Sequence, residues 1–293
     1  MSQHSSLPAL DSQRWLAQFS ATFFSENSAT RMGRTESYGP LRVQRPFHPE
    51  GPECLHFYLL HPPGGLVGGD RLAIDLYLQP NTHVLMTTPS AGKIYRNISG
   101  YAQGQFVGLK VDDGAILEYF PQENIVFDGA KGELSTDIHL EGSGLFCGWE
   151  ITCLGRFESD EPFVSGSLKQ SLMIYRDGRP LFCDRFQLQG SVEQPSSLQS
   201  ADAGFRGRCV FGSFVMTTDV MADEAFAEQL VEWQTELNAE GVQIAMTQKP
   251  GVWVVRALTD KAEKLRGAFE FLWEKTRPKV LGRDACAPRI WRT

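Results

Sequence analysis

The sequence predicts a mainly β protein: a large stacked or helical assembly of many strands, followed by a C-terminal α+β portion containing two helices. Three observations carry that expectation. Short apolar runs with period-2 alternation recur from residue 14 to residue 220. Gly, Pro, Asp and Asn punctuate them at close intervals. No amphipathic helix separates them, which disfavours a parallel α/β fold. The 293 residues, 42% hydrophobic, suffice for a sizeable core. A β-rich body is expected over residues 1–207 and the α+β portion over 208–293, packed together because no long polar linker divides them.

Taken in order, RLAIDLYL places Leu72, Ile74, Leu76 and Leu78 on one face of a strand and Asp75 on the other. HVLMTTP, QFVGLKV, AILEYFP, GWEITCLGRF, SLMIYRDGRPLF and RFQLQG follow, divided by the turn segments DDGA, FDGAKGE, EGSG and RDGRP. The Ser- and Gln-rich stretch 189–207 reads as a surface loop. Beyond residue 208, CVFGSFVMTT predicts a strand. In MADEAFAEQLVEWQTELNAE, Phe226, Leu230, Trp233 and Leu237 recur at helical spacing. VQIAM and VWVVRAL are strands, and a second helix is expected from an Asp260 cap to a stop before Pro278. Its AFEFLWEK segment and the APRIWRT tail are candidate partner-facing surfaces, with burial in the core the favoured reading of the helix.

Composition excludes some functions. A net charge of −7 without a basic stripe argues against nucleic acid as a partner. The first residues lack a basic segment followed by an apolar one, and no run approaches the ~18 residues that span a bilayer. A cytoplasmic location without membrane contact is expected. Cysteines 54, 147, 153, 183, 209 and 286 form no C-x-x-C pair and read as free, mostly buried thiols.

The segment LLHPPGGLVGGDRL, residues 59–72, invites a phosphate-binding reading and fails it. A dinucleotide fold needs G-x-G-x-x-G between a strand and a helix N-terminus. Gly64, Gly65, Gly68 and Gly69 give G-G-x-x-G-G, followed by an alternating strand. TTPSAGKIYR resembles a P-loop at Gly92 and Lys93, but Thr87 and Ile94 occupy positions that need Gly and Ser or Thr. The glycines are therefore expected to turn corners or to allow close backbone approach. Cys54-x-His56, with His61 nearby, offers ligands to a soft divalent ion, a satisfied structural role being the favoured alternative.

Acidic residues inside apolar strands stand above this background. Asp184 in LFCDRFQL shares its face with Phe182, Phe186 and Leu188, while Arg185 takes the other face. Glu150 sits between Trp149 and Ile151, and Asp70 closes the glycine segment. A buried carboxylate is costly unless paired, hydrated or bound to a cation. Two readings stay open. The acids pair with arginines such as Arg71, Arg156 or Arg185 or cap backbone N–H groups, or they line a wet passage in which a divalent cation touches them in turn.

Together RPFHPEG, YLLHPPGGLVGGDRL, TTPSAGKIYR, LEYFPQENIVFDGA, GWEITCLGRF and GRDACAPRIW closely resemble the UreD (UreH) family of urease accessory proteins, from about residue 15 to the end. The resemblance implies a non-enzymatic role. Members of the family join UreF and the GTPase UreG, dock on the apo-urease subunits and support GTP-dependent nickel insertion, with nickel arriving indirectly from UreE. It implies a mainly β stack with C-terminal helices, no tightly bound cofactor, and Ni²⁺ only in transit. It further implies a hydrated tunnel as the nickel route. The acidic tunnel motifs GGD, W-[DE] and [ED]-R match Asp70, Glu150 and Asp184, and Gly92 in A-[SG]-K would widen the passage. A pure interaction scaffold, its acids serving only in ion pairs, is the alternative. Closed Cys and His sites would hold Ni²⁺ too tightly to move it, whereas spaced carboxylates and water are exchangeable ligands.

Overall fold

The computed structural model describes residues 15–156, 159–218 and 224–292. The amino-terminal stretch on which the targeting expectation rests lies almost wholly outside them. The fold is mainly β, as expected. In chain order the strands begin with β1 (Leu16–Glu26), β2 (Ala29–Tyr38), β3 (Arg42–Val43), β4 (Cys54–Leu60), β5 (Arg71–Leu78) and β6 (His83–Thr87). Next come β7 (Gly92–Ile94), β8 (Gln103–Val111), β9 (Ile116–Phe120), β10 (Asn124–Val126), β11 (Lys131–Leu140) and β12 (Leu145–Arg156). The rest are β13 (Glu161–Pro162), β14 (Gly166–Arg176), β15 (Arg179–Gly190), β16 (Val210–Thr217), β17 (Gln243–Lys249) and β18 (Val252–Thr259). Three helices accompany them: α1 (Ser197–Ser200), α2 (Glu224–Ala239) and α3 (Ala262–Leu281).

From β4 to β14 the chain coils, laying one strand in each of two facing sheets on every turn. Strands β5, β8, β11 and β14 pair in parallel in the first sheet. Strands β4, β6, β9 and β12 do so in the second. A narrow third side stacks Leu66 on Ile94, Val126 and Leu154 through β7, β10 and the far half of β12. Equivalent positions of successive coils are thus neighbours about 4.8 Å apart, and apolar ladders form between the sheets. One of them is Leu55, Val84, Leu117 and Phe146, all within a single buried cluster. The β1–β2 hairpin extends the first sheet, its turn made by Asn27 and Ser28 at φ of 50° and 61°.

The second sheet continues without a break from β12 into β16, β18 and β17. Gly212 in β16 lets α3 settle closely: a Cβ there would lie 2.8 Å from Leu265 and 3.0 Å from Phe269. Phe269, Leu272 and Trp273 are buried, so the AFEFLWEK face is core. Trp291 of the tail is buried too and donates to Thr87 Oγ1 at 2.9 Å. Helix α2 buries Phe226, which stacks on Trp253, and Leu237. Among the described residues no helix is long and apolar enough to cross a membrane.

Both expected ends of α3 need correction. Asp260 does not cap the helix; it pairs with Arg208, and Lys261 stands at the N-cap, where its side chain makes no capping hydrogen bond. The helix also runs through Pro278 and stops at Gly282, whose φ of 68° ends it. Pro278 falls in the last turn, where losing one N–H is tolerable because buried side chains on either side hold the helix down. Stretch 189–207 is not wholly loop, since α1 lies within it and Phe205 packs onto Phe211. All six cysteines are free, but only Cys54, Cys147 and Cys153 are buried and Cys183 is exposed.

What clamps α3 is an ion-pair network. Arg277, fully buried, donates to Glu118 at 2.8 and 3.0 Å and to both Glu50 oxygens at 2.8 Å. Glu118, also fully buried, accepts from Trp273 Nε1 and is bonded to His83 Nε2, each at 2.6 Å. Burial alone would raise the Glu118 carboxyl, but the hydrogen bonds and charges of His83 and Arg277 outweigh it and hold it down to about 2. Replacing Arg277 with Met strands two buried carboxylates and is expected to lower stability by on the order of 3–5 kcal/mol in urea unfolding, with Lys a poor rescue. Glu118 titrates lower in the folded chain than its ordinary value of 4.5. Its stabilisation is therefore complete above that pH and lost as pH falls toward 2. Thermal melts between pH 6 and pH 2.5 should show the loss.

Candidate functional site

The glycine segment crosses from β4 to β5. Gly64 and Gly69 sit at φ of 73° and 94°, in the region that other residues avoid. Gly65 serves close approach instead: a Cβ there would collide with the Tyr95 ring and lie 2.9 Å from the Lys93 carbonyl. Leu66 N–H bonds to that carbonyl at 2.7 Å and Tyr95 N–H to the Leu66 carbonyl at 3.0 Å, which ties the crossing to β7. The backbone thus presents Asp70 at the mouth of β5. Its Oδ2 accepts the Val67 N–H at 2.9 Å, and the residue is 6% exposed. Burial pushes the carboxyl above its ordinary value, against the Val67 bond and the neighbouring His61. No Lys or Arg among the described residues pairs with it.

Beside this crossing lies a cavity of about 60 Å³ whose walls include His61, Gly65, Gln105, Tyr119 and Gln122. That is space for a few waters. Gly92 also borders it but does not widen it, because the Asn124 side chain occupies the place a Cβ would take.

Glu150 and Asp184 meet elsewhere, in an open cleft of about 660 Å³ between the sheets. Ladder register explains their position. One inward row of the first sheet runs Ile74, Val107, Thr136, Leu172, Asp184, turning polar toward β15. Its neighbour runs Leu72, Gln105, Leu134, Gln170, Phe186. From the facing sheet Glu150 reaches across to both, accepting from Thr136 Oγ1 and from Gln170 Nε2 at 3.0 Å. Burial raises its carboxyl; those two bonds oppose the rise and the charge of Asp184 adds to it. Tyr119, which walls the small cavity, also feels the Glu150 charge.

Neither of the sequence's alternatives describes all three acids. Asp184 is ion-paired, but with Arg256 at 3.1 Å, 72 residues away, and not with Arg71, Arg156 or Arg185. Arg156 pairs with Glu161, and the Arg71 guanidinium lies over the Phe106 ring. Glu150 has only neutral hydrogen-bond donors. Asp70 stands at the start of the strand four places across the sheet from that of Asp184, and four residues along it from Ile74, which lies in the Asp184 row.

Among the described residues two donor sets have metal-like geometry: Glu50, Cys54 and His56, and Cys54, His83 and Glu118, each with its atoms within 4.8 Å of one another. Their chemistry is that of a satisfied structural network. Arg277 already holds both carboxylates, and burial with the nearby Glu118 and Glu50 charges pushes the Cys54 thiol far up, so it stays protonated. His61 is apart from them, at the small cavity. The sequence reading missed Glu50, Glu118 and Arg277 altogether; Glu118 within the apolar run ILEYF was the one available signal.

In this coiled β architecture the glycine segment leads into a strand and the acids Asp70, Glu150 and Asp184 stand between or beside the two sheets. The family model described as UreD urease accessory protein matches residues 16–292. The chain is 39% identical to the urease accessory protein UreD of Saccharophagus degradans, over 99% of this chain and 97% of that one. Identity is 40% with the UreD of Chromohalobacter salexigens, over 96% and 90%, and 35% with that of Psychromonas ingrahamii, over 98% and 97%. The chain belongs to the UreD family of urease accessory proteins, which carries a general role in urease maturation. These relatives are named as accessory proteins, not as enzymes.

The glycine geometry gives a direct test. Gly65→Ala is expected to destabilise the chain by about 1–3 kcal/mol through overpacking against Tyr95 and Lys93. Gly64→Asn, at a left-handed position with nothing within 4 Å of the added Cβ, should be nearly neutral in the same urea titration.

Proposed function

We propose that this chain acts with UreF and the GTPase UreG as a scaffold on apo-urease, and that it conducts Ni²⁺ through its interior during GTP-dependent insertion. Ni²⁺ is cargo supplied indirectly by UreE, and Asp70, Glu150 and Asp184 are its transient ligands. The observation that carries the reading is the setting of Glu150: a carboxylate between two sheets, bonded to Thr136 and Gln170 and not to a cation, facing an open cleft beside a second acid. Such a group is stabilised by water, and a divalent ion gains from both charges without being caged. Gln105 and Tyr119 line the small cavity, Gln170 lines the cleft and Thr136 bonds to Glu150, so neutral hydrogen-bonding groups stand at both.

The pure scaffold reading draws support from Asp184, whose partner Arg256 satisfies it without a metal. The two readings separate by experiment. Asp70→Asn and Glu150→Gln, in chains that still co-purify with UreF, are expected to yield urease with at least several-fold less nickel. Full nickel content with either substitution removes that residue from the route, and full content with both leaves the scaffold reading.

A further inference from the structure

We infer that the small cavity beside the β4–β5 crossing is a binding site for a planar, singly charged oxyanion of bicarbonate size, held by Lys93, Gln122 and Tyr119. The site is opposite in sign to the proposed cation route, lies beyond that reading and does not depend on it.

The charge of the walls gives the sign. No Asp or Glu stands among the described residues that line the cavity, and the two walls able to carry charge, Lys93 and His61, carry it as cations. Lys93 is partly buried, and no acid among the described residues takes up its amine. An ammonium held partly out of water without a counter-ion favours an anion beside it.

The direction of the polar groups gives the same answer. Gln122 is 8% exposed, and its Oε1 accepts from Arg266 Nη1 at 2.5 Å. A guanidinium can only donate, so the amide is oriented and its N–H₂ group is turned the other way. That nitrogen has no partner among the described residues and is not sealed by them, and the same holds for the Tyr119 hydroxyl. Both side chains wall the cavity, so their hydrogens are available to its occupant. Gln105 and Asn124 add amides on the same walls.

Size and charge narrow the ligand. A cavity of about 60 Å³ holds a few waters, which is room for roughly four or five heavy atoms and none for a nucleotide. One lysine offsets one charge, which favours bicarbonate over sulfate or doubly charged phosphate. The Gly92 and Lys93 pair that resembles the end of a P-loop in sequence therefore does stand at an anion-suited space, but it does so on a strand, β7, and for a much smaller ligand.

The test uses the full chain at mildly alkaline pH with ¹³C-labelled sodium bicarbonate as the probe, and broadening of its NMR line reads binding. The unsubstituted chain is expected to bind it saturably. Nitrate, which is planar and singly charged, should displace it, whereas sulfate at the same concentration should not. Gln122→Glu keeps the Arg266 partner while placing an acid in the wall, and should weaken binding tenfold or more with an unchanged melting temperature. Lys93→Gln should weaken it comparably, and Lys131→Gln, a lysine away from the cavity, should leave it unchanged. Asp70→Asn and Glu150→Gln remove acids that lie outside the walls and should bind bicarbonate at least as tightly, whatever they do to nickel delivery. Absence of saturable binding, displacement by sulfate as readily as by nitrate, or full affinity in a folded Gln122→Glu chain overturns the site. The first two outcomes are read on the unsubstituted chain, so they decide the matter even where a variant does not fold.

Discussion

A carboxylate withdrawn from water needs either a cation or water of its own, and the two-sheet interior answers that need in two different ways. Beneath α3, Glu118 and Glu50 are closed around the Arg277 guanidinium, with His83, His56 and Trp273 taking up further lone pairs. At the cleft, Glu150 has neutral donors and open space. The opposite shifts of two glutamates carried by neighbouring strands of one sheet express the difference: Glu118 is held down by His83 and the Arg277 guanidinium together, whereas Glu150 is pushed up by burial with no cation beside it. One arrangement fixes a helix. The other leaves negative charge available to something that arrives and departs.

Much of the fold was legible because its signals are local. Period-2 alternation marks β5 and β15, a nearly continuous apolar run marks β12, and glycine and aspartate turns separate the strands. The face of Asp184 followed from the same rule, which also explains why Arg185 is not its partner: adjacent residues of a strand point to opposite sides. What escaped depends on distance along the chain. Arg256 comes to Asp184 from 72 residues away, and Arg277 to Glu118 from 159. Coil register, which sets Thr136 and Gln170 opposite Glu150, is decided by stacking between coils and leaves no mark within any one strand. The ends of α3 were misread for a related reason. Local rules placed a cap at Asp260 and a stop at Pro278, but tertiary anchoring through Trp273 and Arg277 overrides them.

The glycines illustrate how one composition serves different physics. In a phosphate loop they expose backbone N–H groups to an anion at a helix end. Here the N–H groups of Gly64 and Leu66 are spent on the His61 and Lys93 carbonyls, and the strand that follows offers no helix dipole. The segment brings a side chain, Asp70, to the edge of the interior and fits it against a neighbouring coil. The length of the acid at each site matches its task in the same manner. Glu150 crosses the gap between sheets to reach Thr136 and Gln170, for which the extra methylene is needed, whereas Asp184 meets Arg256 nearby with the shorter side chain.

The proposed passage of nickel along weak ligands requires that the interior hold no strong one. Cys54, His56, His83, Glu50 and Glu118 bring sulfur, nitrogen and oxygen donors within a few ångströms of one another, the kind of mixed soft set that retains late first-row metals. Arg277 disarms it. Its guanidinium occupies the carboxylates, and burial together with the Glu118 and Glu50 charges keeps the Cys54 thiol protonated and therefore a poor ligand. A metal entering there would have to displace a bidentate buried ion pair and then share a dry site with the cation it displaced. The guanidinium that clamps α3 thus also occupies the mixed donor set that would otherwise compete, among the described residues, for an ion on the proposed route.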